Sequence, residues 1–86
     1  MNATQRVTLC MFLAKRRGHV LTFAVAGLQG RHIGTLLSMN EDRIRLQMPD
    51  REFVIRTDNV LTVGEYDPDI KRREVWSATG QEDTNA

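Results

Sequence analysis

At Gly18 the apolar residues change their spacing, and this switch restricts the fold more than any other feature of the chain. Before it, Val7, Cys10, Met11 and Ala14 recur at i, i+3, i+4 and i+7, the period of a helix lying on a core. After it, Leu21, Phe23 and Val25 alternate with polar or small residues, the period of a half-buried strand. That alternation returns in short runs as far as Val63. The two periods cannot be exchanged, so the chain reads as one helix followed by a set of strands.

The helix is marked at both ends. Asn2 with Gln5 three residues on has the form of a capping box. Leu9, Phe12 and Leu13 widen the apolar stripe, and Lys15, Arg16 and Arg17 suit the negative end of the helix dipole. Gly18 stands where a left-handed cap is wanted.

Five strands are predicted. The first covers His19 to Ala26, and Gly27 and Gly30 bracket the turn after it. The second runs from Arg31 to Met39 through Ile33, Leu36 and Leu37, with Gly34 inside it as the expected bulge or bend. Asn40-Glu41-Asp42 is turn-like. The third, Arg43 to Met48, alternates cleanly, with Ile44, Leu46 and Met48 opposed to Arg43, Arg45 and Gln47. The fourth is Arg51 to Arg56, with Phe53 and Ile55 on one face, and Thr57-Asp58-Asn59 leads into a fifth, Val60 to Val63. Short strands at this spacing, joined as hairpins, suggest a small barrel whose second strand turns a corner.

From residue 64 the pattern is lost, and residues 66–86 are expected to be an acidic, largely disordered tail on a domain of residues 1–65. Within it, Asp67-Pro68 can cap a short helix through Ile70 and Trp76. The net charge of +1 hides a division: residues 1–63 carry +4 and residues 64–86 carry −3. At 86 residues the core is small, a size at which docking onto further copies often adds stability. The single cysteine, Cys10, allows no internal disulfide and reads as a small buried hydrophobe, in keeping with a reducing compartment. No run is apolar enough to cross a bilayer, and the apolar stretch precedes its basic residues, the reverse of a secretion signal. A cytoplasmic protein is therefore expected. His19 and His32 lack partners at metal-ligand spacing, and no nucleophile-base or paired-carboxylate set can be built, so neither metal, cofactor nor enzymatic activity is expected.

Ile55-Arg56-Thr57-Asp58-Asn59-Val60 resembles the second Sm motif, Ile-Arg-Gly-(Asp)-Asn-Val, which joins the fourth and fifth strands of that family. Gly30-Arg31-His32-Ile33-Gly34-Thr35-Leu36 is similar to the second-strand part of the first Sm motif, and the basic-ended helix is similar to the helix that leads into the first strand of Hfq-like proteins. Roughly residues 5–64 thus resemble the Sm/LSm family and its Hfq-like RNA chaperones. The resemblance implies an N-terminal helix and a strongly bent five-stranded antiparallel Sm-like (SH3-like) barrel. It also implies a homo-oligomeric ring, hexamer or heptamer, closed where the fourth strand of one subunit (Glu52 to Arg56) pairs with the fifth of the next (Val60 to Val63). The implied function is an RNA chaperone or post-transcriptional regulator that holds single-stranded, U- or A-rich RNA. Three departures stand out: Thr57 replaces the motif glycine, the loop Met39–Arg43 has no aromatic residue to stack a base, and the Tyr-Lys-His signature of Hfq is absent. The missing aromatic, with Glu41 and Asp42 in that loop, favours an alternative, an Sm-like module that binds a protein through its edge strand or basic face.

Seven residues are candidates for RNA contact. Arg56 matches the pore-lining arginine of the family, where a guanidinium stacks on a base or donates to phosphate; as a turn brace it would instead bond Asp58 or backbone carbonyls. Asn59 follows in the same motif, and Asn also suits a turn before a strand. Asn40 and Arg43 lie in the loop that faces the pore in the family, Asn40 for a base edge and Arg43 for charge. Lys15, Arg16 and Arg17 offer phosphates a basic rim, or simply form a solvated helix end.

Overall fold

The computed structural model describes residues 1–67 and 71–78. A helix, α1 (Ala3–Ala14), precedes six strands: β1 (Val20–Val25), β2 (Arg31–Met39), β3 (Arg43–Gln47), β4 (Glu52–Arg56), β5 (Val60–Asp67) and β6 (Lys71–Ser77). A short 3-10 turn, Thr57–Asn59, links β4 to β5. All pairings are antiparallel, in one sheet of order β4-β3-β2-β1-β5-β6, which is not closed. No helix among the described residues is long and apolar enough to cross a membrane.

The helix starts as its cap predicts. Asn2 Oδ1 accepts from Gln5 N at 2.8 Å, and Gln5 Oε1 accepts from Asn2 N at 2.9 Å. Its buried side is rotated from the predicted stripe. Leu9 and Leu13 are fully buried, whereas Val7 and Met11 are 53% and 60% exposed. Apolar residues ring much of this helix, so two stripes fit the period; the one with two leucines takes the core. The helix ends at Lys15, and Gly18, at φ 84°, turns the chain three residues later.

Alternation builds the other wall of the core. Leu21, Phe23 and Val25 of β1 share one core cluster with Leu36, Ile44, Leu46, Ile55, Val60 and Val63. Gly34 is not the bulge. The register of β2 against β3 shifts between Leu36 and Ser38. Gly34 marks a close approach instead, because a Cβ there would meet Leu46 Cβ at 3.1 Å and Gln47 O at 3.2 Å.

The main correction lies after residue 66. β5 continues to Asp67, and Lys71–Ser77 form β6, a strand where a tail with a short helix was expected. Pro68, Asp69 and Ile70, and the expected disorder at residues 79–86, lie outside the described residues. β6 pairs with β5 from Thr62↔Ser77 to Asp67↔Lys71. Trp76 packs against the core, and its Nε1 donates to Thr8 Oγ1 of α1 at 3.2 Å. Gln5 Nε2 donates to Ala78 O just beyond the strand. β6 thus occupies the edge of β5 that the ring assigns to a neighbouring subunit. With β6 in place, β4 of another copy finds no open β5 edge.

Candidate nucleic-acid interface

The loop between β2 and β3 is built by Asn40. Its Oδ1 accepts from Asp42 N at 2.7 Å and Arg43 N at 2.8 Å, and its backbone N donates to Arg43 O at 2.9 Å. An Asn side chain that satisfies two backbone N–H groups replaces part of a ladder and fixes a tight turn. Thr57 then ties the β4–β5 connection to this loop. It is fully buried, its Oγ1 donates to Asn40 O at 3.0 Å, and its N donates to Asp42 O at 2.9 Å. The threonine at the motif's glycine position therefore has a bracing role.

This brace sets Arg43 and Arg56 directly opposite each other on β3 and β4. Both are exposed. Neither forms a side-chain hydrogen bond or ion pair among the described residues. Like charges placed opposite on neighbouring strands are destabilising, and an anion between them removes that cost. Around them opens a cleft of about 620 Å³, lined also by Arg6, Asn40, Glu41, Asp42 and Asp58. Arg6 and Asp58 close on each other, Nε to Oδ1 at 3.1 Å. Asp58 is therefore the partner of Arg6, not of Arg56. Three arginines and three carboxylates line the cleft, so its charge is balanced overall while Arg43 and Arg56 stay unneutralised.

Beside the cleft, Cys10 Sγ donates to Asn40 O at 3.8 Å. Burial, then the negative charge of Glu41, raises the Cys10 pKa and disfavours the thiolate. On the same outer face of the hairpin, Arg45 Nε donates to Glu52 Oε2 at 2.5 Å. That hydrogen bond holds Glu52 below the usual carboxylate range and Arg45 above its ordinary value.

The other predicted residues lie elsewhere. Asn59 does not line the cleft; its carbonyl accepts from Ala26 N at 2.7 Å and joins the end of β1 to the start of β5. Arg16 is structural: its side chain is 12% exposed, lies 3.8 Å over the Phe12 ring and meets Glu65 Oε2 at 3.0 Å. Glu65 also reaches His19 Nδ1 at 3.2 Å. Lys15 and Arg17 are exposed. They follow the last turn of α1, while Arg6 in its first half lines the cleft, about 13 Å back along the helix at 1.5 Å per residue. The two basic groups read from the sequence are thus separate. Arg6 was missed there; its signal is its place four residues before Cys10, on the side of the helix that meets the Asn40 loop.

No three His, Cys, Asp or Glu side chains are grouped to hold a metal ion among the described residues. No protein-family model, curated protein or solved structure matches the chain.

Proposed function

We propose that the chain is an Sm-like, Hfq-like RNA-binding protein, acting as an RNA chaperone or post-transcriptional regulator, that takes single-stranded RNA at Arg43 and Arg56. The observation that carries this reading is the pair of directly opposed arginines with no carboxylate of the described residues bound to either. Two guanidinium groups borne on directly opposed strand positions suit a phosphate, or a base face with its phosphate. The barrel reading is supported by the leading helix, by the order β4-β3-β2-β1-β5 within the sheet, and by Ile55–Val60 spanning the β4–β5 junction. Asn40 contributes its amide donors alone, since Oδ1 already serves the loop.

Fluorescence anisotropy with short oligo-U and oligo-A RNA at low salt tests this. The double change Arg43→Ala/Arg56→Ala is expected to weaken binding by tenfold or more, at about 1.5–3 kcal/mol for each charged hydrogen bond lost. The slope of log K against log salt should fall by about 0.7 for each phosphate contact removed. Wild-type protein that binds neither RNA at low salt ends the reading.

A second reading, a module that binds protein through its edge strand, is favoured by the balanced charge of the cleft and by the outer edge of β4, which is unpaired among the described residues. In that case the two RNAs fail to bind, and changes along β4 govern association instead.

A further inference from the structure

We infer that β4 is a two-fold docking edge for a second copy of this chain, pairing antiparallel with its own equivalent about Val54. The inference does not rest on RNA binding and stands or falls separately from it.

The geometry begins with the backbone. Met48 N donates to Arg51 O at 2.8 Å and Thr57 N donates to Asp42 O at 2.9 Å, at the two ends of the β3–β4 ladder. In an antiparallel pair, alternate residues turn their N–H and C=O groups toward the same neighbour. Residues 51, 53, 55 and 57 therefore face β3, and Glu52, Val54 and Arg56 present their backbone groups to the open side. β4 ends the sheet on that side, so these groups have no strand partner among the described residues. Such an edge is a template for another strand.

The side chains select the partner. Glu52, Val54 and Arg56 share the outer face of β4 and are all exposed, Val54 by 51%. Read antiparallel against itself about Val54, the strand Glu-Phe-Val-Ile-Arg is complementary. Glu52 falls opposite Arg56 of the other copy, twice, and Val54 falls opposite Val54. The outward backbone groups of these three residues then close on the order of six hydrogen bonds, because all three fall in hydrogen-bonded pairs. Opposite charges across strands add stability where like charges remove it. The carboxylate from the second copy would thus reach the arginine that now faces Arg43. Arg45 holds one oxygen of Glu52, and a carboxylate accepts at both. Arg56 has five N–H donors, enough for a carboxylate and a further anion.

A five-residue ladder buries less than the ~800 Å² per partner of a stable complex, so the dimer is expected to depend on concentration. Sedimentation velocity from about 10 µM to 500 µM should show monomer passing to dimer, with a dissociation constant in the micromolar range or above. Glu52→Arg puts arginines opposite arginines, and Arg56→Glu puts carboxylates opposite carboxylates. Each variant alone is expected to remain monomeric at concentrations where the wild type is dimeric, with circular dichroism unchanged. An equal mixture of the two variants restores both opposite pairs and should form a one-to-one heterodimer. A role confined to one chain gives no such recovery on mixing. A wild type that stays monomeric throughout, single variants that still dimerise, a mixture that does not associate, or an assembly larger than a dimer would each overturn the inference.

Discussion

Leu13→Ala is expected to lower stability by about 2–5 kcal/mol, the range for emptying a fully buried leucine site. The size follows from how α1 is attached. Leu9 and Leu13 are its only fully buried residues, and both lie in the same core cluster as Phe23, Leu36 and Val63. Removing either side chain leaves the helix one fully buried anchor. A domain of this length has about 4–13 kcal/mol in all, at 0.05–0.15 kcal/mol per residue, so the loss is a large share. Urea denaturation followed by circular dichroism should show the midpoint falling with little change in slope, and Tm should drop by roughly 10–30 °C. Val7→Ala and Met11→Ala, on the exposed side of the same helix, should change stability by less than about 0.5 kcal/mol. Equal losses at Leu13 and Met11 would contradict the observed orientation of the helix and restore the stripe read from spacing.

The second large effect is expected at Trp76. It carries β6 against the core, pairs with Val63 and donates to Thr8 on α1. Trp76→Ala removes both the packing and the hydrogen bond. Because the residue is only partly buried, the cost is expected at about 2–4 kcal/mol, below or within the range for a buried tryptophan. Trp76→Phe keeps a ring and loses the donor, for about 1 kcal/mol. With β6 loosened, the outer side of β5 becomes an unpaired edge, and new association is expected where the wild type shows none through that side. Hydrogen exchange checks the local part: amides of β5 that bond to β6 should lose protection while those bonding to β1 keep it. If Trp76→Ala costs less than about 1 kcal/mol and leaves exchange in β5 unchanged, β6 is not held as described.

Much of this architecture could be read from side-chain period alone. The run Arg43 to Gln47 alternates without exception, and its buried residues are the two the pattern names, Ile44 and Leu46. The capping box of Asn2 and Gln5 is local chemistry and forms as written. Three features were hidden for separate reasons. The face of α1 was ambiguous because apolar residues occupy most of its circumference. The bulge near Leu37 was assigned to Gly34, since a strand glycine serves a bend and a close approach equally well, and only the position of Leu46 distinguishes them. β6 was missed because Lys71 to Glu74 are charged and Asp67-Pro68 imitates a helix start. An edge strand needs few apolar residues, and its pairing is with a backbone that composition does not report. At the cleft, Arg43, Arg56 and Asn40 were legible as candidates. The opposition of the two arginines depends on strand register, and the pairing of Asp58 with Arg6 joins residues 52 positions apart, so neither could be read from local spacing.

One amide side chain joins two distant parts of the fold. Gln5 accepts from the N–H of Asn2 with its oxygen and donates a hydrogen bond to the carbonyl of Ala78 with its nitrogen. The first turn of the helix and the far end of the outermost strand are therefore fastened by the same group, like two cords through one buckle. Fraying on either side removes one hydrogen-bond partner from the other. These regions should open as one cooperative unit with a shared free energy, although more than seventy residues of chain separate them.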